Sequence, residues 1–79
     1  MGTVEFKLPK LGMTMQEGTV EEWLVRPGDY VEEGQEIVVI SMDKAENPLP
    51  SPVAGMVVRV AVSNGETVAV GTVLAVIEA

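Results

Sequence analysis

Few residues in this chain could do chemistry. There is no cysteine and no histidine, so it has no thiol nucleophile, and it lacks the commonest general base and the commonest transition-metal ligand. The carboxylates are scattered, with no nucleophile–base pair among them and no metal-ligand pattern. One side chain stands out by position. Lys44 is the only cation between Arg26 and Arg59, inside Ser41-Met42-Asp43-Lys44-Ala45-Glu46-Asn47. The apolar run Ile37-Val38-Val39-Ile40 precedes that stretch, and Pro48-Leu49-Pro50-Ser51-Pro52 follows it. This order predicts a strand, a tight turn and a second short strand ending in prolines. The ordinary role of a lysine at such a tip is a solvated charge that blunts a strand edge. The chemical role is an amine held where other proteins can reach it.

The elements that position this turn are visible as an internal repeat. Gly18-Thr19-Val20 matches Gly55-Met56-Val57, Val25 matches Val62, Gly28-Asp29 matches Gly65-Glu66, Gly34 matches Gly71, and Val39-Ile40 matches Val76-Ile77, at the constant offset 55 − 18 = 37. The pseudo-repeats run over about 18–40 and 55–77, within a single domain spanning 1–79. In each, a strand ends at a glycine turn, Arg26-Pro27-Gly28-Asp29 or Ser63-Asn64-Gly65-Glu66. A short crossing segment follows, then a second glycine turn and a strand, Glu36 to Met42 or Val73 to Glu78. In both first strands the apolar residues fall three and then two apart: Val20, Trp23, Val25 and Val57, Val60, Val62. Strict alternation cannot place these on one face, so a β-bulge is expected near Glu21-Glu22 and another near Val58-Arg59. No helical period is present. The expected fold is all-β: a flattened barrel or sandwich of two small antiparallel sheets with quasi-two-fold symmetry, a barrel-sandwich hybrid. Trp23, Leu24 or Val25, Val31, Ile40, Val57, Val60, Val68, Leu74 and Ile77 are its expected core. The offset carries Lys44 to 81 in one direction and to Lys7 in the other, so the chain ends are expected to be the counterpart of the lysine turn, at the opposite end of the domain.

Composition narrows the partners. At 79 residues with a net charge of −7, the chain offers no basic stripe for nucleic acid and would be repelled by an anionic membrane. No apolar run has transmembrane length, and the start has no signal-peptide pattern. A soluble cytoplasmic protein is expected, monomeric as an isolated domain.

The chain resembles the lipoyl domains of 2-oxo acid dehydrogenase complex acyltransferases, members of the biotin/lipoyl attachment family. The resemblance covers nearly all of it: Leu8-Pro9-Lys10-Leu11-Gly12 and Met15, Glu17-Gly18 through Trp23-Leu24-Val25, Gly28-Asp29, Asp43-Lys44-Ala45, Pro50-Ser51-Pro52-Val53-Ala54-Gly55, Gly65, Val70-Gly71 and Leu74-Ala75-Val76-Ile77. Two departures lie beside the turn: Ser41-Met42, where the family has Glu-Thr or Glu-Ser, and Asn47 or Pro48, where it has an acidic residue. Pro48 removes a backbone donor, which suggests a shortened ladder or an edge position.

The resemblance implies that Lys44, flanked by Asp43 and Ala45, carries lipoic acid in amide linkage. It implies that Leu11, Gly12, Met13, Thr14 and Met15, with Met42 and Glu46, take part in partner recognition. The implied partners are a lipoate ligase or lipoyl transferase, a thiamin-dependent decarboxylase, an acyltransferase core and dihydrolipoyl dehydrogenase. The implied location is the cytoplasm, or the mitochondrial matrix in a eukaryote. Such a carrier is not itself an enzyme and needs neither metal nor catalytic residues, which accords with the missing Cys and His. Two alternatives stay open. One is biotin on the same lysine, although biotin carriers have Ala-Met-Lys-Met where this chain has Met42-Asp43-Lys44-Ala45. The other is an unmodified interaction module of the same fold.

Overall fold

The computed structural model describes residues 2–42 and 44–79. The described residues form eight strands and no helix: β1 Thr3–Lys7, β2 Glu17–Trp23, β3 Tyr30–Val31, β4 Glu36–Met42, β5 Ala45–Pro50, β6 Gly55–Val60, β7 Thr67–Ala69 and β8 Val73–Glu78. They make two four-stranded antiparallel sheets, in the orders β1-β8-β6-β3 and β5-β4-β2-β7. The strands are rich in Val and Ile, whose branched side chains suit a pleated surface packed on one side. The body is elongated, 35 × 20 × 19 Å.

The quasi-two-fold symmetry extends to the hydrogen bonds. The Gly28 amide donates to the Val57 carbonyl at 2.7 Å, and Gly65 donates to Val20 at 2.6 Å. Val57 in turn donates to Asp29, and Val20 to Glu66, both at 2.8 Å. Each half therefore closes its first turn on the first strand of the other half, and neither half has these partners by itself. Gly28 and Gly65 adopt φ of 99° and 91°, a conformation that favours glycine. Asp29 and Glu66 each accept from the amide three residues earlier, Arg26 and Ser63, at 2.9 Å.

Both expected bulges are present. Pairing slips between Val20 and Glu22 in β2 and between Val57 and Arg59 in β6. Two further irregularities, between Glu36 and Val38 and between Phe6 and Lys7 opposite Ala75 and Val73, had no signal in the pattern. They explain how the neighbours Ile37 and Val38, and likewise Leu74 and Ala75, are all fully buried, which strict alternation forbids.

Of the expected core, Val31, Ile40, Val57, Leu74 and Ile77 are fully buried, while Trp23, Val60 and Val68 are partly buried against them. Between Leu24 and Val25, the structure buries Val25 and leaves Leu24 46% exposed. Phe6, Leu8, Met15, Leu49 and Val62 also join the core. No buried side-chain polar atom among the described residues lacks a partner. Among the described residues no helix is long and apolar enough to cross a membrane.

One expectation needs correcting. The offset of 37 does not extend to β1 and β5. Thr3 pairs with Glu78 as Glu46 pairs with Ser41, so these strands correspond at 46 − 3 = 43 and Lys7 is the counterpart of Pro50. The counterpart of the turn still falls at the chain ends, where the Ala79 amide donates to the Gly2 carbonyl at 2.9 Å. The offset changes because the connection from Leu8 to Gly18 is six residues longer than the matching one from Ser51 to Gly55, ten steps against four.

Candidate functional site

Strands β4 and β5 pair up to Met42 opposite Ala45, which leaves a two-residue loop, 43–44. A loop this short must reverse the chain within two residues, and the favoured hairpin turns do so with positive φ. Lys44 has φ 69°, the only positive φ among the described residues that is not at a glycine. A lysine there is held in a left-handed conformation by the hairpin pairing on either side. Lys44, Ala45 and Glu46 are exposed. Asp43, also expected at the site, lies outside the described residues. β5 carries Pro48 and Pro50 and is an edge strand, as the missing donor at Pro48 requires.

The long connection after Leu8 lies against this hairpin. Gly12, Thr14, Met15, Gln16 and Glu17 line a cleft of about 270 Å³ together with Met42, the last residue before the turn. Within the connection the Met15 amide donates to the Gly12 carbonyl at 3.2 Å, and the Leu11 amide reaches the Met15 sulfur at 3.1 Å. Met15 itself is buried, so it anchors the loop in the core, whereas Met13 is 92% exposed and Leu11 is also exposed. The residues expected to serve recognition thus divide into an exposed tip and a buried anchor. No sequence signal marked the anchor; in the fold, a Cβ on Gly18 would lie 2.8 Å from the Ile40 Cγ2 and 3.2 Å from the Met15 methyl. That glycine admits Met15 into the core.

The halves match in strands, bulges, glycine turns and the backbone bonds that close those turns. Among their differences, the inserted loop and the residues at the hairpin position lie together beside Met42 and Lys44. Among the described residues no cluster of potential metal ligands occurs.

The family model for biotin/lipoyl domains, described as "Biotin-requiring enzyme", matches residues 4–77. The chain belongs to this family. As a biotin/lipoyl domain it is 39% identical over 71 residues to the dihydrolipoyllysine-residue acetyltransferase component of the pyruvate dehydrogenase complex of Corynebacterium glutamicum, an alignment covering 90% of this chain and 10% of that protein. It is 37% identical over 73 residues to the dihydrolipoyllysine-residue succinyltransferase component of the 2-oxoglutarate dehydrogenase complex of Bacillus subtilis, covering 92% and 18%. The chain thus spans only a small part of the length of these curated relatives. Among solved structures, the lipoyl domain of the 2-oxoglutarate dehydrogenase complex of Azotobacter vinelandii matches with a TM-score of 0.79 and 26% identity, covering 96% of each chain. A single-chain, multi-domain long-chain acyl-CoA carboxylase matches with a TM-score of 0.79 and 29% identity, covering 95% of this domain and 7% of that chain.

Proposed function

We propose that this biotin/lipoyl domain is a lipoyl carrier, with lipoate in amide linkage to the Nζ of Lys44. The observation that carries the reading is the presentation of Lys44: an exposed amine on a two-residue hairpin, at the end of the domain where the two halves differ. The relatives named as dihydrolipoyllysine components support lipoate as the group.

A tether of this kind asks little of the chain, and this chain supplies what is needed. A free carboxylate has no adequate leaving group, so a ligase or transferase must bring the lipoyl carboxyl in activated form. The lysine nitrogen gives up a proton to solvent and bonds to the carbonyl carbon, the activating group leaves with its electron pair, and a second proton leaves the nitrogen, so that one positive charge is lost in the amide. When bound, the dithiolane supplies the redox and acyl-carrying chemistry. The residues of the domain fix where the arm starts and offer a surface to each partner. By this reading the partners are a thiamin-dependent decarboxylase, an acyltransferase core and dihydrolipoyl dehydrogenase, and tethering raises the local concentration of the arm at each. The domain is a non-catalytic monomer in the cytoplasm, or in the mitochondrial matrix in a eukaryote.

Biotin on Lys44 is the second reading, favoured by the likeness to the carboxylase structure. Intact mass of the domain, co-expressed once with lipoate ligase and once with biotin ligase, separates the readings. A lipoyl adduct that disappears in Lys44→Arg is the expected result. A biotinyl adduct alone would assign the domain to carboxylase chemistry, and no adduct from either ligase would leave an unmodified interaction module.

A further inference from the structure

The geometry points to Met42 as a positioning residue that locks the loop 9–16 onto the attachment turn, so that a partner meets loop and lysine as one surface. This rests on the lipoyl-carrier reading. It adds the residue that joins the two parts of the site.

Met42 occupies the junction. It ends β4 and immediately precedes the two-residue loop. Its side chain is half-buried and packs against the core. Its methyl carbon lies 4.0 Å from where a Cβ on Gly12 would stand, so the methyl faces the middle of the loop. Met42 lines the cleft with Gly12 and also a second hollow of about 150 Å³ with Ser41, Thr19 and Thr67. Only Met42 and Glu17 border both hollows. A thioether side chain suits a gap of irregular shape between two backbone segments.

The symmetry supports the assignment. At offset 37 the counterpart of Met42 is Ala79. The half with no inserted loop has no long side chain at this place. The loop is held at its two ends, where buried Leu8 bonds to Thr72 and Gly71 and the Gln16 carbonyl accepts from Val70, and within itself by Met15, which bonds to Gly12 and Leu11. Loops with few buried contacts open locally at low cost, and Met42 is the residue of the lysine-bearing strand that stands beside the middle of this one.

The test compares Met42→Ala, Met42→Leu and, on the other sheet, Met56→Ala, whose parent side chain is 47% exposed. Amide hydrogen exchange at Leu11 and Met15 reads the closed loop directly, because both amides are bonded inside it. Met42→Ala is expected to speed their exchange about tenfold, while Met42→Leu and Met56→Ala stay near the parent. Unchanged exchange in Met42→Ala would overturn the coupling. Each variant is then lipoylated, checked by intact mass and offered to the pyruvate and 2-oxoglutarate decarboxylase components, using whichever acylates the parent faster. Met42→Ala is expected to raise KM about tenfold with kcat held, the signature of lost docking and not of lost chemistry, and Met42→Leu is expected to restore it. A KM equal to the parent's would overturn the inference that the partner reads loop and turn together. Absence of a lipoyl adduct on the parent would defeat the carrier reading instead, and the exchange experiment would still decide the role of Met42.

Discussion

The indole Nε1 of Trp23 donates a hydrogen bond to the carbonyl oxygen of Val62 at 2.8 Å, and the Trp23 amide donates to the Asn64 Oδ1 at 3.1 Å. Trp23 ends β2 in one sheet, while Val62 and Asn64 follow β6 of the other. One residue thus ties the two sheets by its ring and by its backbone. Its counterpart in the other half is Val60, whose side chain offers no polar atom to mirror the bond made by the ring.

Trp23→Ala is expected to destabilise the domain by about 3 kcal/mol, the lower end of the usual cost of deleting a large aromatic, since the ring is only partly buried. Trp23→Phe keeps most of the packing and leaves the Val62 carbonyl without its donor, for about 1 kcal/mol. Urea denaturation of the two variants and the parent checks the order. A Trp23→Ala midpoint equal to the parent's would show that the ring does not hold the sheets.

Gly18 and Gly55 are counterparts in the repeat, both buried, but their surroundings differ. A Cβ on Gly18 meets the side chains of Ile40 and Met15, which can shift, whereas a Cβ on Gly55 runs into the backbone carbonyl of Glu78, which cannot. Gly18→Ala should cost about 1–3 kcal/mol by overpacking, and Gly55→Ala should cost more. Denaturation midpoints in the reverse order would contradict the close approach of β6 to the end of β8.

The strain at Lys44 predicts that function, not stability, sets the residue there. Glycine accepts φ 69° freely and alanine does not. Lys44→Gly is therefore expected to be more stable than Lys44→Ala by about 1 kcal/mol, measured by chemical denaturation. Equal stabilities would mean that the turn relaxes when the lysine is removed.

The position of the amine should matter as much as its presence. Neighbouring residues of a hairpin project differently, and a shift of one residue turns a side chain to the other face. Exchange of Asp43 with Lys44, and separately of Lys44 with Ala45, should leave folded domains that lipoate ligase does not modify, as weighed by mass spectrometry. Efficient modification of both exchanged variants would show that turn geometry does not select the lysine. An adduct on Lys44→Arg would make Lys7 or Lys10 the acceptor.

The sequence by itself determined the repeat, the glycine turns, the bulges at Glu21 and Val58, the edge position of β5 and the place of Lys44 at a hairpin tip. These follow from local rules: which residues accept positive φ, which lack an amide hydrogen, and where alternation fails. Only the tertiary structure decided that Val25 and not Leu24 turns inward, that Ile37 and Val38 are both buried, and that β1 answers to β5 at a different offset. It alone placed Met15 in the core and Met42 beside the loop. Those outcomes depend on what arrives from the far side of the sheet. A side chain's burial is fixed by its partners in space, and Gly18, Met15 and Ile40 become neighbours only after the two halves have closed on each other.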